Sequence, residues 1–247
     1  MKLTKRVLSV AIMSVMGAAY LPTAEAGVSA TVSGSNMYLW RGQAISGASP
    51  EISGSLDYKH DSGLFAGVWG SSEGPANTSN ETDLYAGYSG KSGDFSYGVA
   101  LWQYIYSLKP GSNDLGADSD GVVTDPSEWQ VTLGYGPVSF GVLVDTNDSG
   151  NQYYTLGYTY GKFSAVYGWW KLDLPKDTVG EYGHLDLFFQ ATPELKFGLS
   201  TVVDPAEAKA SETFSGPILY SKTNGKGETK QESDPLFYVS YSKTFDL

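Results

Sequence analysis

A chain of 247 residues has room for one domain of ordinary size or one larger all-β unit, and the absence of cysteine rules out disulfides, cysteine-zinc sites, iron–sulfur clusters and cysteine nucleophiles. A formal charge of −11 argues against nucleic acid as a partner, because phosphate contacts need a cationic surface. An aromatic share of 14% beside only 17% charged residues excludes both a coiled coil and a disordered polyampholyte.

The chain opens with a basic start at Lys2, Lys5 and Arg6, an apolar run from Val7 to Tyr20, and then Pro22 and Ala24-Glu25-Ala26. This pattern predicts a secretory signal peptide over 1–26, cleaved after Ala26, in preference to an anchor, since the run is short for a ~30 Å hydrocarbon core. Its removal takes away three basic residues and one acidic residue, which moves the formal charge from −11 to −13. Residues 27–247 hold no run of eighteen apolar residues, so any membrane crossing there is by strands.

Beyond the signal, apolar and polar residues alternate with a period of two in segment after segment. Strands are predicted over 28–41, 51–60, 63–72, 81–90, 94–106, 127–136, 137–146, 151–160, 162–171, 181–191, 194–203 and 236–246. In the sixth, Trp129, Val131, Leu133 and Tyr135 oppose Glu128, Gln130, Thr132 and Gly134; in the seventh, Val138, Phe140, Val142 and Val144 oppose Ser139, Gly141 and Asp145, with Leu143 breaking the rule. Connections alternate between tight turns, such as Gly136-Pro137 and Gly161, and longer loops, of which 107–126 and 204–235 are the longest. Twelve strands with one apolar face, a short-turn end and a long-loop end predict an all-β fold: a transmembrane antiparallel β-barrel with short periplasmic turns and long extracellular loops. Closure follows from energetics, because an unpaired backbone group in hydrocarbon costs several kcal/mol. The six tryptophans, Trp40, Trp69, Trp102, Trp129, Trp169 and Trp170, all map toward the long-loop end, as one aromatic girdle at the lipid headgroups requires.

The chain resembles the TorF-type porin family, a proteobacterial outer-membrane protein family of unknown function. The resemblance is carried by Tyr38-Leu39-Trp40-Arg41-Gly42, by the stretch from Leu56 to Ser71 around Asp57-Tyr58-Lys59-His60-Asp61-Ser62-Gly63-Leu64-Phe65, by Glu81 to Tyr88, and by the closing Tyr238-Val239-Ser240-Tyr241-Ser242-Lys243-Thr244-Phe245. It implies an outer-membrane barrel with a channel role. Two departures stand out. Trp40 replaces the usual Phe, and Asp246-Leu247 follow Phe245 where such barrels commonly end in an aromatic residue.

With the apolar face toward lipid, Arg41, Asp57, Lys59, Asp83, Glu128, Asp186, Glu194 and Lys196 are the candidate lumen-lining residues. Either they set the field of an open pore, or they pair with one another and fill the lumen as a polar core. The expected function is passive diffusion of small solutes or ions across the cell outer membrane, with cations favoured by the negative charge. The expected partners are outer-membrane lipid, those solutes or ions, and the outer-membrane assembly machinery. No cofactor or catalytic step is expected.

A non-conducting structural or partner-binding barrel is the main alternative, and a barrel phospholipase a remote one. For the latter, His184 and Asp186 share a strand face, and a serine from a neighbouring strand would complete a Ser-His-acid site. Other motifs dissolve on inspection. Gly70-Ser71-Ser72-Glu73-Gly74 has no following helix for a nucleophile elbow, Gly90-Lys91-Ser92 lacks the upstream glycine of a phosphate loop, and His60 lies on a different segment from His184. The acidic run 113–121 reads as a solvated loop with a calcium site as the alternative, and 204–235 has the length to fold inward, dock on the rim or stay mobile.

Overall fold

The computed structural model describes residues 26–47, 49–74, 78–108, 122–123, 127–147, 150–173, 178–205, 207–208, 213–214, 221–223, 229–231 and 234–247. The predicted signal peptide, apart from Ala26, and the acidic run 113–121 lie outside the described residues.

Twelve long strands follow one another: β1 (Gly27–Ser35), β2 (Glu51–Lys59), β3 (Leu64–Ser71), β4 (Thr78–Ser92), β5 (Phe95–Leu108), β6 (Ser127–Tyr135), β7 (Val138–Asp145), β8 (Gln152–Tyr160), β9 (Phe163–Lys171), β10 (Tyr182–Gln190), β11 (Leu195–Asp204) and β12 (Leu236–Asp246). Each pairs antiparallel with its sequence neighbours, and β12 returns to β1 with Ser29 opposite Asp246 and Ser35 opposite Ser240. The sheet is therefore a closed twelve-stranded antiparallel barrel, and no barrel strand is left with an unpaired edge. Two-residue turns such as Gly136-Pro137 and Gly161-Lys162 use glycine at a φ of 55° and 59°, the left-handed geometry that matches the twist of the strands they join.

Alternation places the apolar residues outside. Leu56, Val131, Leu133, Phe140, Leu156, Leu187, Leu199 and Phe237 are all exposed and run around the whole circumference. Such a belt greatly exceeds what a protein in water exposes, and it is the surface that meets acyl chains in a transmembrane barrel. Val131 and Leu133 stand well clear of any interior at 40% and 41% exposure, which excludes a two-sheet sandwich. Leu143, the exception to the alternation, is simply an inward residue, buried opposite Tyr153.

The inner face is hydroxyl-rich along the seam that closes the ring. Thr31 and Thr244 approach to 3.0 Å through their Oγ1 atoms, and Ser33 Oγ donates to Ser242 Oγ at 2.9 Å, so the first and last strands are tied by side chains as well as by the ladder. Leu247 continues past the ladder with its N–H on Val28 O, leaving Phe245 and Leu247 on the outer face.

Two expectations need correction. The first strand was predicted over 28–41 but ends at Ser35, because residues 36–47 leave the wall and turn into the lumen. The tryptophans do not form a lipid-facing ring of six: Trp129 and Trp169 are on the outer face, whereas Trp69, Trp102 and Trp170 point inward and Trp40 rides on the inserted segment. A narrow lumen offers large rings more contact than the headgroup region does, and Tyr38 with Trp69, Tyr85 with Trp102, and Trp40 with Trp170 pack against each other there.

Candidate functional site

The connection between β1 and β2 forms a small hairpin, Leu39–Trp40 against Gln43–Ala44, that lies across the lumen. Its two-residue turn is Arg41-Gly42, with φ of 48° and 78°, and Arg41 is the one described non-glycine residue at positive φ. Glycine at 42 is required twice over, since a Cβ there would stand 2.5 Å from His184 Cγ.

Contacts radiate from the hairpin to the wall in nearly every direction. Met37, Leu39 and Ala44 form an apolar cluster with Phe188 of β10 and Tyr238 of β12. On another side Tyr38 joins Trp69 of β3 and Tyr85 of β4, with Trp40 and Ile45 packed alongside. Gln43 Nε2 donates to Tyr182 Oη, whose own hydroxyl donates to Arg41 O at 2.8 Å. The hydrophobic core of this protein is therefore the inserted hairpin and the ring of wall residues it meets.

Arg41 carries the charge of that contact. Its Nη2 donates to Glu128 Oε1 at 2.7 Å and Oε2 at 2.5 Å, and Tyr104 Oη donates to Glu128 Oε2 at 2.5 Å. The guanidinium carbon sits 4.2 Å from the Trp40 ring centre, 4.5 Å from Tyr153 and 5.0 Å from Trp170.

The remaining six candidates lie on β2, β4, β10, β11 and the turn before β11. Asp57 and Lys59 line β2, half-buried, where Asp57 accepts hydrogen bonds from Tyr85 Oη and Ser55 Oγ. Asp83 is buried on β4 beside Glu81, and its Oδ1 has no hydrogen-bond partner. Asp186 is buried on β10, and Lys196 is buried on β11 with its ammonium 5.3 and 5.6 Å from the rings of Phe188 and Tyr238. Glu194 stands apart in the turn before β11, paired with Lys243 Nζ at 3.0 Å. The Lys243 hydrogen bond lowers the Glu194 pKa. The structure thus joins Arg41 to Glu128 and leaves the other six at separate positions.

Sequence reasoning passed over Glu51 and Glu81, both buried, although the strand parity that selected Asp57 and Asp83 selects them too. It also passed over Tyr104, Tyr153 and Tyr182, for which no polar signal existed. Among the described residues the element inserted in the lumen is 36–47, and the 204–235 loop is described only in part. Its described pieces form a small sheet, Glu207–Ala208 with Thr229–Gln231 and Ser221–Thr223, and Thr213–Phe214 pairs in parallel with Thr178–Val179 of the neighbouring loop.

His184 is fully enclosed. Its Nδ1 lies 3.1 Å from Asp186 Oδ1 and its Nε2 2.7 Å from Tyr153 Oη, while Ser200 Oγ donates to the same Asp186 oxygen at 2.5 Å. In a hydrolase triad the serine meets the imidazole nitrogen remote from the acid. Here a tyrosine holds that nitrogen and the serine is on the acid. Among the described residues no group of three or more carboxylate or histidine side chains is arranged to hold a metal ion.

Residues 20–185 match the family described as a bacterial protein of unknown function (Gcw_chp). The chain belongs to this family. No curated protein matches. Among solved structures the chain is similar to the outer membrane protease OmpT from Escherichia coli, with 10% identity over 90% of this chain and 94% of that chain and a TM-score of 0.24. With the closed ring and its apolar belt, this Gcw_chp chain is a bacterial β-barrel of the outer-membrane type.

Proposed function

We propose that this Gcw_chp barrel resides in the outer membrane and passes small solutes or ions passively through its lumen, with the 36–47 hairpin as the constriction. One observation carries the reading: outside the hairpin contacts, most of the inner wall is lined by Ser, Thr, Gly and charged side chains, with Ala100, Leu143 and Val166 as apolar exceptions. Thr31, Ser33, Ser55, Asp57 and Lys59 from two adjacent strands illustrate it. A wall of this kind favours water and gives passing ions polar contacts in place of hydration. The sequence resemblance to the TorF-type porins agrees with this role. The inward carboxylates Glu51, Asp57, Glu81, Asp83, Glu128 and Asp186 outnumber Arg41, Lys59 and Lys196, which supports cation preference. No chemical step is required, and the partners are membrane lipid, the assembly machinery that inserts the barrel, and the solutes themselves.

A second reading, a non-conducting structural barrel, is favoured by how tightly the hairpin is buried, with Leu39 and Ala44 at 1% and 0% exposure. Planar-bilayer recording separates the two. The wild type is expected to give small, cation-selective steps, and a variant with 37–46 replaced by a short Gly-Ser turn is expected to give several-fold larger ones. Silence from both, in protein that migrates as a folded barrel, selects the structural reading, and anion-selective reversal potentials remove the cation preference.

A further inference from the structure

We propose that the wall pocket occupied by Arg41 is a binding site for small guanidinium-bearing cations, with Arg41 as its built-in occupant, and that such a solute displaces the hairpin by competing for the pocket. Trp40, the nearest ring at 4.2 Å, travels with the hairpin, but the carboxylate, the hydroxyl that fixes it and two further rings belong to the wall. Glu128 of β6 supplies the carboxylate, Tyr104 of β5 fixes it by donating to Oε2, and Tyr153 of β8 and Trp170 of β9 present their ring faces. Withdrawal of the hairpin leaves this constellation on four rigid strands, and its chemistry selects a particular cation. A planar, weakly hydrated guanidinium is matched by ring faces and a carboxylate, whereas a compact ammonium loses more hydration on entering the same space.

Arg41 fills the pocket imperfectly. Its backbone is held at φ 48°, a conformation that L-residues adopt at a cost, so the hairpin returns part of what the ion pair contributes. Its Nε and the indole Nε1 of Trp170 are both buried without a hydrogen-bond partner. Two donors left unsatisfied in a low-dielectric interior weaken the closed arrangement relative to a free ligand that chooses its own orientation and, in the case of L-arginine, brings a carboxylate acceptor. Arg41 is tethered and strained where a solute is neither, and that difference makes the occupant exchangeable.

Occupancy of the pocket stands independently of transport, while the statement that displacement opens a passage rests on the channel reading above. The test uses the full-length barrel in detergent and in bilayers, with methylguanidinium and L-arginine as probes and methylammonium, L-lysine and L-citrulline as controls. Arg41→Ala vacates the pocket. It is expected to bind methylguanidinium saturably, seen by tryptophan fluorescence, about tenfold or more tighter than methylammonium, and Arg41→Ala with Glu128→Gln is expected to lose about tenfold or more of that affinity. In bilayers, L-arginine is expected to raise the open fraction of the wild type, with L-lysine weaker and neutral L-citrulline inert. If Arg41→Ala does not give the heat-modifiable folded band, the same titration is made on the barrel shortened over 37–46, which also lacks Arg41. Absence of saturable binding in a folded, vacated barrel, or binding indifferent to Glu128→Gln, overturns the site. Binding with no conductance from any variant upholds the site and ends the channel reading. Conductance of the wild type that L-arginine leaves unchanged overturns the displacement.

Discussion

At Gly42 two constraints meet at one atom. The φ of 78° disfavours any L side chain, and the space a methyl would need is held by the His184 ring. That ring has no freedom to move, being fixed by Tyr153 on one nitrogen and Asp186 on the other. Gly42→Ala therefore costs more than the ~1–2 kcal/mol of a left-handed residue alone. We expect a lowered urea midpoint corresponding to about 2–3 kcal/mol, the range of a buried clash, or expulsion of the hairpin with a rise in conductance at unchanged barrel stability. An unchanged midpoint together with unchanged conductance contradicts the placement of the turn. Nothing in the local sequence marks Gly42 out from the other glycines: Arg41-Gly42 reads as a turn, but the histidine that fills the space beside it lies on a strand more than a hundred residues away. Glu128 was legible as an inward carboxylate, yet its partner Arg41 was expected on the same wall, not on an element crossing from the opposite side.

Each strand owes its two faces to the period of two, and substitutions are expected to follow parity. Leu133→Arg places a charge on the outer face of β6, between the outward rings of Trp129 and Tyr135, and a cost of about 2–4 kcal/mol is expected. Ser164→Arg, inward on β9, is expected to cost clearly less, because the lumen is polar. Urea unfolding in lipid vesicles compares them, and equal losses contradict the assignment of faces.

The turn before β11 gives a pH-dependent element of known sign. Lys243 holds the Glu194 pKa below its ordinary 4.5, so the pair's contribution is complete at pH well above that value and fades as pH falls through the depressed folded value. Lys243 is exposed and Glu194 partly so, and the pair is screened by solvent, so the effect is small. The unfolding midpoints of wild type and Glu194→Gln are expected to differ slightly at pH 7 and converge by about pH 3. A gap that widens on acidification contradicts the pairing.

For the whole molecule, the twelve-strand count, the antiparallel order and the apolar exterior were all readable from residue type and spacing. Those features depend on local rules: side-chain direction alternates, turns need glycine or proline, and lipid demands an apolar face along every strand. The inserted hairpin obeys none of them. Tyr38-Leu39-Trp40 continues the strand pattern of β1, so sequence alone extended the wall to 41, and the tryptophans suited a girdle as well as a packed interior. The decision between them is made by closure. Once twelve strands form a ring, the lumen is a confined volume lined from all sides, and residues from β1 through β12 converge on it with sequence separations of up to two hundred residues. Sequence determined the barrel because its rules act between neighbours. Only the tertiary structure decided which segment fills the lumen and where Arg41 finds Glu128, because that choice is a competition among distant groups for one shared space.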